Sequence, residues 1–436
     1  MNIHVPQQPD AIAELQELRT TKVNIMGPQA SKTNLSIVQD TLLGAYLMTK
    51  SKEKMPKEKF FQICMRGDNW STDFILKKIA FIKSVLEELK LPCEDKDVFT
   101  GKNLISMMLP NDFAYIKKND STKSEPIVKI YKGVMYEGVL NKANLGSAHG
   151  SILQVLLKDY NADICIGFTN NIQFITCEWL LYEGFSIGIE DCITDKQDEV
   201  KSSVFKSYFQ SKKIEESVSN PVIREAKISV ALNKAKDFGM KIARENMSED
   251  NCFISTVMSG SKGDFFNIAQ ITGLVGQQNI TGKRVQAVFN KGKRTLPHYR
   301  YDLSDNIEYE FESKGFIRHS FMQGINPKEF WYHAMSGREG VSDTAMKTAL
   351  SGYVQRKMVK VMEDVQIRYD GTVRNSQGSI IQWAYGDDGL DRTCTVINKD
   401  GENEFCDVSR IVDRLNVNFE HIIKTKKKSP KVSKPV

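Results

Sequence analysis

The sequence is short of the features that mark secreted, zinc-bound or membrane-spanning proteins. Its eight cysteines, Cys64, Cys93, Cys165, Cys177, Cys192, Cys252, Cys394 and Cys406, are scattered and include no C-x-x-C pair. That spacing argues against a zinc site or a disulfide framework, and for free thiols in a reducing compartment. His4, His149, His298, His319 and His421 form no H-x-x-x-H spacing, so none of them is read as a metal ligand. No apolar run approaches the length of a membrane span, and the first residues lack the basic-then-apolar pattern of a signal peptide. No P-loop, G-x-G-x-x-G or Ser-His-Asp motif stands out, and no segment repeats. The net charge of +6 is too small for nucleic-acid binding to be argued from the total.

What is present suffices for two to four domains, because the chain has 436 residues. A helical run covers Asp40–Thr49. Residues 68–92 carry Ile75, Ile79, Ile82 and Val85 at helical spacing. Residues 93–182 alternate β-rich runs with glycine turns, IVKIYKGVMYEGVL at 127–140 among them, and the apolar run over 162–181 ends in a helix. From Asp195 to Met247 the pattern predicts two amphipathic helices joined near Ser219, with Asn220 and Pro221 as cap and first-turn proline. The tail from Lys424, KTKKKSPKVSKPV, is basic and almost without apolar residues. It reads as a disordered, solvated tail in preference to a nucleic-acid contact or nuclear address.

The most informative stretch is Asn326–Asp364, NPKEFWYHAMSGREGVSDTAMKTALSGYVQRKMVKVMED. Asn326 is a good N-cap, Pro327 fits the first helical position and Glu329 completes a capping box. No further proline interrupts it. About 37 residues at about 1.5 Å each predict a helix of roughly 55 Å. Gly337, Gly340 and Gly352 lie inside, each weakening a helix by about 1 kcal/mol relative to alanine. They make sense where bending or close approach is wanted. The pattern is neither a heptad coil nor a membrane span, so such a helix belongs inside something larger.

This stretch closely resembles the bridge helix of the largest subunit of multisubunit DNA-dependent RNA polymerases, of the RNA polymerase II or archaeal type. Seven other blocks match in the family's order: MNIHVPQ (1–7), GPQASKTNLSIVQDTLLG (27–44), FTGKNLISMMLP (99–110), EGFSIGIED (183–191), SGSKGDFFNIAQITGLVGQQNITGKR (259–284), TLPHY (295–299) and YGDDGLD (385–391). The resemblance implies an α+β, multidomain fragment with a mixed β-rich pore domain, a helical-hairpin funnel and one long bridge helix. The implied divisions are the end of the active-site domain (1–60), pore (61–182), funnel (183–324), bridge helix (325–365), start of the cleft region (366–423) and the basic tail (424–436). In the family the aspartate loop that holds the catalytic magnesium precedes a block like MNIHVPQ, and the trigger loop lies well beyond the bridge helix. Both are therefore expected outside this chain, as in a split gene of some large DNA viruses or in a fragment. Mg2+ would be bound by residues outside this chain, and no metal ligand or catalytic residue is expected within it.

The resemblance also implies roles for particular residues. Lys262, in the turn GSKG, would neutralise triphosphate or pyrophosphate charge; on local sequence alone it is a lysine in a common turn. Gln277, Gln278, His333 and Glu339 would lie where pore and funnel meet the bridge helix, around the pocket for the toxin amanitin. Asn279 departs from that pattern, which has serine there. The amides and the pair Lys283-Arg284 could face nucleic acid, or form a polar turn that holds the funnel against the helix. Thr348 and Ala349 match the positions under the templating base pair. Gly352 widens the same face, and Lys347 and Arg356 can reach backbone phosphates. Tyr353 could meet a template base or pack in a core. Pro28-Gln29 and Gln39-Asp40 would support the active-centre loop or approach the RNA end. Asp387, Asp388 and Asp391 read as turn and capping residues, not as a metal loop. The implied partners are the remaining pieces of the largest subunit, the second-largest and smaller subunits, a cleavage factor at the funnel, DNA template, RNA and nucleoside triphosphates, with no membrane. The implied location is intracellular, in the nucleus or a cytoplasmic viral factory, with packaging in virions a further option. The alternative is a non-catalytic, polymerase-derived nucleic-acid-binding or assembly protein.

Overall fold

The structure is a computed structural model and describes residues 3–27, 32–68, 70–89, 99–117, 127–246, 248, 250–300, 306–390, 395–397, 403–405, 408, 412 and 416. Pro28, Gln29, Cys93, Asp391, Cys394, Cys406, His421 and the basic tail fall outside them. The fold is α+β: helices dominate, and the strands form small antiparallel sheets. Contacts divide the chain into Met1–Ile25 with Thr33–Ala345, and Met26–Lys32 with Met346–Val436.

In the larger unit a first core is built on the helix Gln39–Lys50, which buries Leu42, Leu43, Ala45, Tyr46 and Met48. It packs against the helices Ala162–Glu183 and Gly101–Met108. The last approach depends on Gly101, since a Cβ there would lie 2.0 Å from the Met48 carbonyl oxygen. The run IVKIYKGVMYEGVL becomes two strands, Val128–Tyr131 and Val134–Glu137, joined to Tyr115–Lys117 in one antiparallel sheet. Lys132 and Gly133 turn the chain with φ of 47° and 70°, the signature of a two-residue hairpin loop whose twist matches its strands. The helix Thr72–Glu88 buries Ile75, Ile82 and Val85 at the predicted spacing, and the Ser71 hydroxyl accepts from the Phe74 amide at 3.2 Å as its cap.

Several polar groups inside this core are paired, as burial favours. The Thr49 hydroxyl donates to the Ala45 carbonyl at 2.8 Å and accepts from the Leu140 amide at 3.0 Å. The Ser106 hydroxyl accepts from the Met135 amide at 2.9 Å. Lys78 is buried; its ammonium donates to the Leu109 carbonyl at 2.7 Å and to the Asn111 side chain. Desolvation pulls its pKa down to about 8, with Asp112 opposing.

The second core is the helical hairpin, Gln197–Ser217 and Pro221–Asn246. Val200, Val204 and Tyr208 on one helix meet Ile228, Leu232, Ala235 and Ile242 on the other, repeats of three and four residues that make one apolar stripe per helix. Tyr208 stacks on Phe311 at 4.7 Å and meets Phe316 edge-on at 5.3 Å, tying the hairpin to the segment that precedes the long helix. The Asn220 side chain accepts from the Val222 and Ile223 amides, capping the second helix at the expected residue. The helix Ile152–Asp159 lies where the sequence suggested β-rich runs and glycine turns, and helices also cover Pro9–Leu18 and Lys57–Cys64.

The long helix runs unbroken from Pro327 to Met362, 36 residues. In the smaller unit it is followed by a three-stranded antiparallel sheet, Gln366–Ile367, Val373–Arg374 and Ile380–Gln382. Among the described residues no helix is long and apolar enough to cross a membrane.

Lys78 generates a pH prediction. Unfolded, it titrates near its ordinary value of 10.5; folded, near 8. Between those values the unfolded chain holds the extra proton, so stability from this group rises with pH across that window. Urea midpoints between pH 7.5 and 10 should rise relative to those of Lys78→Met. Parallel curves for the two proteins would show that Lys78 is not the titrating group.

Candidate functional site

The start of the long helix is fastened by one buried carboxylate. Glu329 is 0% exposed. It accepts from the Asn326 amide at 3.1 Å, completing its half of the capping box, from the Arg318 amide at 3.2 Å, and faces His319 Nδ1 at 2.7 Å. One turn on, the buried Tyr332 hydroxyl donates to the Ser313 carbonyl at 2.9 Å and lies 2.9 Å from the Thr295 hydroxyl. The TLPHY block thus meets the helix through Thr295 and through Tyr299, whose hydroxyl donates to Glu312 at 3.0 Å and whose ring lies 4.7 Å from the Lys328 ammonium. Burial pushes the Tyr332 hydroxyl pKa up to about 12, so it stays a neutral donor.

Further along, a tight hairpin from QQNITGKR docks on the same helix. Asn279–Ile280 pairs with Lys283–Arg284 across Thr281 and Gly282, whose φ values are 51° and 75°. A β-branched residue rarely adopts that conformation. Its amide donates to both Glu339 carboxylate oxygens, at 2.7 and 3.0 Å. The Ser336 hydroxyl donates to the Asn279 carbonyl at 3.2 Å, and His333 Nδ1 lies 3.3 Å from Gln278 Oε1. Gln278, His333 and Glu339 are therefore brought together along one contact. Gln277 turns away: its amide donates to the Gln278 and Lys314 carbonyls, at 2.8 and 3.0 Å, and braces the loop. Arg284 is buried and forks onto Glu225 at 2.7 and 2.8 Å, which holds that carboxyl below the usual range. A polar turn against the helix was one of the two readings of this stretch; the Thr281 amide contact and the Arg284–Glu225 pair were not foreseen. The signal for the turn was the X-Gly step between two short polar runs.

Lys262 sits on a loop shaped by its neighbours. The helix Cys252–Ser259 ends at Gly260, with φ 75° and ψ 17°, and the Ser261 amide returns to the Thr256 carbonyl at 3.2 Å. That left-handed ending suits glycine. A Cβ at Gly260 would also fall 2.7 Å from the Lys142 Cβ. Asp264 caps the next helix, Phe265–Thr272, accepting from the Asn267 amide at 3.0 Å. The Lys262 side chain is left exposed between the two helices, and no ion pair joins it to a described residue.

In the smaller unit the second half of the long helix is exposed on every side. Thr348 and Gly352 are one turn apart, as are Ala349 and Tyr353, with Arg356 on the same side. Lys347 is not with them. It lines an apolar groove with Leu350, Val354 and Met358 on the other side of the helix. Tyr353 is 56% exposed, with the Lys357 ammonium 4.1 Å from its ring centre, so it packs in no core of the described residues. An added Cβ at Gly337, Gly340 or Gly352 would meet nothing within 4 Å. In YGDDGLD the Asp388 side chain accepts from the Leu390 amide at 3.1 Å and the Gly389 amide returns to the Tyr385 carbonyl at 2.8 Å, a local turn. Among the described residues no group of three or more His, Cys, Asp or Glu could hold a metal ion.

The long capped helix with its three glycines, the helical hairpin and the GSKG loop are the features through which the sequence resembles the largest polymerase subunit. The comparisons agree. The chain matches RNA polymerase Rpb1 domain 3 over residues 24–192, domain 4 over 193–317 and domain 5 over 324–425. It is 43% identical over 447 aligned residues to a protein of Invertebrate iridescent virus 6 described as a probable DNA-directed RNA polymerase II subunit RPB1 homolog. That alignment takes in 97% of this chain and 42% of the viral protein, so the chain spans less than half of that relative's length. The chain belongs to the family of the largest RNA polymerase subunit.

The two carboxylates on the long helix should differ in weight. Glu329→Ala strands several donors in a buried place and is expected to destabilise the larger unit by about 3 kcal/mol. Glu339→Ala, at a more open contact, should cost about 1 kcal/mol and chiefly speed proteolysis near Thr281. Urea unfolding and limited proteolysis measure both; equal losses for the two variants would contradict the anchoring role of Glu329.

Proposed function

We propose that the chain supplies the end of the active-site domain (1–60), the pore (61–182), the funnel (183–324), the bridge helix (325–365) and the start of the cleft (366–423) of a DNA-dependent RNA polymerase. The observation that carries this reading is the long helix itself. Beyond Val341 it exposes Met346, Leu350, Val354, Met358 and Val359, each more than half exposed. A contiguous apolar surface of that kind marks an interface. The opposite side, with Thr348, Ala349 and Gly352, offers backbone and small groups where a base pair can lie close. Other polymerase pieces would cover the apolar side. The match of all three domains, with Lys262, Thr348 and Ala349 intact, favours this over a non-catalytic derivative.

The reaction of the assembled enzyme is nucleotidyl transfer. Metal ions, Mg2+ in this reading, would align the RNA 3′ oxygen with the α-phosphate and stabilise the leaving pyrophosphate. In this reading residues outside this chain would hold those ions, and this chain's part is positioning. Lys262 places a mobile cation where a nucleotide's phosphates pass. Thr348, Ala349 and Gly352 form the floor under the template, with Tyr353 beside them and Arg356 reaching the backbone. Lys347 reaches phosphate or covers the apolar groove. Gln278, His333 and Glu339 couple the funnel loop to the helix. Partners are the rest of the largest subunit, the second-largest and smaller subunits, a cleavage factor, DNA, RNA and nucleoside triphosphates. The setting is intracellular, a nucleus or viral factory.

In the reconstituted enzyme, Lys262→Ala should raise the KM for nucleotides by roughly 10- to 150-fold, the loss of one charge-assisted contact. Unchanged elongation at limiting nucleotide would leave Lys262 a turn residue. Ala349→Phe should permit assembly and sharply reduce elongation, because its ring fills the space assigned to the base pair. Gly352→Ala favours the helix by about 1 kcal/mol and should alter pausing more than KM. Normal elongation by Ala349→Phe would remove the template from this side of the helix.

A further inference from the structure

A cavity of about 1090 Å3 opens between the first turns of the second hairpin helix, the segment 282–295 and residues 310–314. That volume is at the upper end for small-molecule sites. Among the described residues lining it, seven are Lys or Arg and two are Glu. Lys212, Arg224, Lys283, Arg284, Lys293 and Lys314 bring cations from separate segments of chain to one space. Glu225, Glu310 and the neighbouring Glu215 offset Arg284, Lys212 and Lys314, and the lining still carries an excess of positive charge.

Arg284 is the informative member. Its side chain is 4% exposed. Nε and Nη2 donate to Glu225, and Nη2 also lies 3.5 Å from Glu215. Nη1 is buried and has no hydrogen-bond partner. A guanidinium carries five N–H donors in a fixed fork, and a buried donor without an acceptor is costly. The neighbouring carboxylates are otherwise engaged. Glu225 already takes the Nε and Nη2 side. Glu310 is paired with Lys212 at 3.7 Å and Lys314 at 3.2 Å, and Glu215 with Lys314 at 3.1 Å.

We propose that this cavity binds a multivalent phosphate anion, with Arg224 and Lys283 as its point charges and Arg284, held in its wall by Glu225, adding positive charge behind them. Phosphate suits the site better than a lone carboxylate, because several acceptor oxygens on one group answer donors that arrive from different directions. The anion is either free pyrophosphate or the phosphate chain of a nucleotide. Lys262 and the long helix do not line this cavity. The site is therefore separate from the phosphate contact proposed above, and either can fail without the other.

Isothermal titration of the full chain with pyrophosphate, with ATP and with a polyglutamate peptide, at low ionic strength, tests the site. Saturable binding of pyrophosphate and ATP is expected. Tighter binding of ATP assigns the site to nucleotides, and equal binding assigns it to the phosphate groups alone. The double variant Arg224→Ala/Lys283→Ala spares the Arg284–Glu225 pair and should weaken binding about tenfold or more. Lys262→Ala should bind as the parent does. Absence of saturable binding, full affinity in the double variant, or preference for the peptide would overturn the proposal.

Discussion

Everything the long helix can do depends on how its first turn is held. Glu329 has no exposure to water and gathers donors from three directions: its own helix start, the Arg318 backbone and the His319 ring. A buried carboxylate is tolerable only when its lone pairs are filled this way. The arrangement fixes direction as well as position. Arg318 follows the strand Phe316–Ile317, which pairs with Gly276–Gln277, and from there the chain runs straight into the hairpin that touches Glu339. The funnel loop and the helix are thus registered to each other by a closed path of backbone and side-chain contacts, with Tyr332 and Tyr299 as its apolar filling.

Much of this was legible in the residues. The Asn326-Pro327-x-Glu329 start, the absence of a later proline and the Asn220-Pro221 cap gave both long elements to within a few residues, because caps act locally and leave local traces. The strands at 127–140 were legible for the same reason: alternation and a Lys-Gly turn are short-range signals. Less visible were elements defined by what they pack on. Gly101 reads as one glycine among 28 until the Met48 carbonyl is seen against it. Arg284 and Glu225 lie 59 positions apart, and no spacing announces their pair. Lys347 looks like a neighbour of Thr348 in the string, yet a helix turns adjacent residues apart and places it in the apolar groove.

The glycines of the long helix show a different limit. Gly101 and Gly260 are explained by atoms of this chain that leave no room for a side chain. Gly337, Gly340 and Gly352 meet nothing. Their justification is a bend, or a group that approaches from beyond these residues, an idea that the cost of glycine in a helix supplied before any geometry did. For Thr348 and Ala349, exposed on the same helix, the role came from the resemblance alone.

The exposed half of the long helix has a consequence for where the protein opens. Helices gain most of their stability from a packed side, and this one has almost none past Val341. Whatever settles on it adds a stabilisation that grows with the logarithm of that partner's concentration. Left uncovered, the segment past Val341 is held mainly by its own helical hydrogen bonds, so it is the part of the long helix that opens first and meets a protease first.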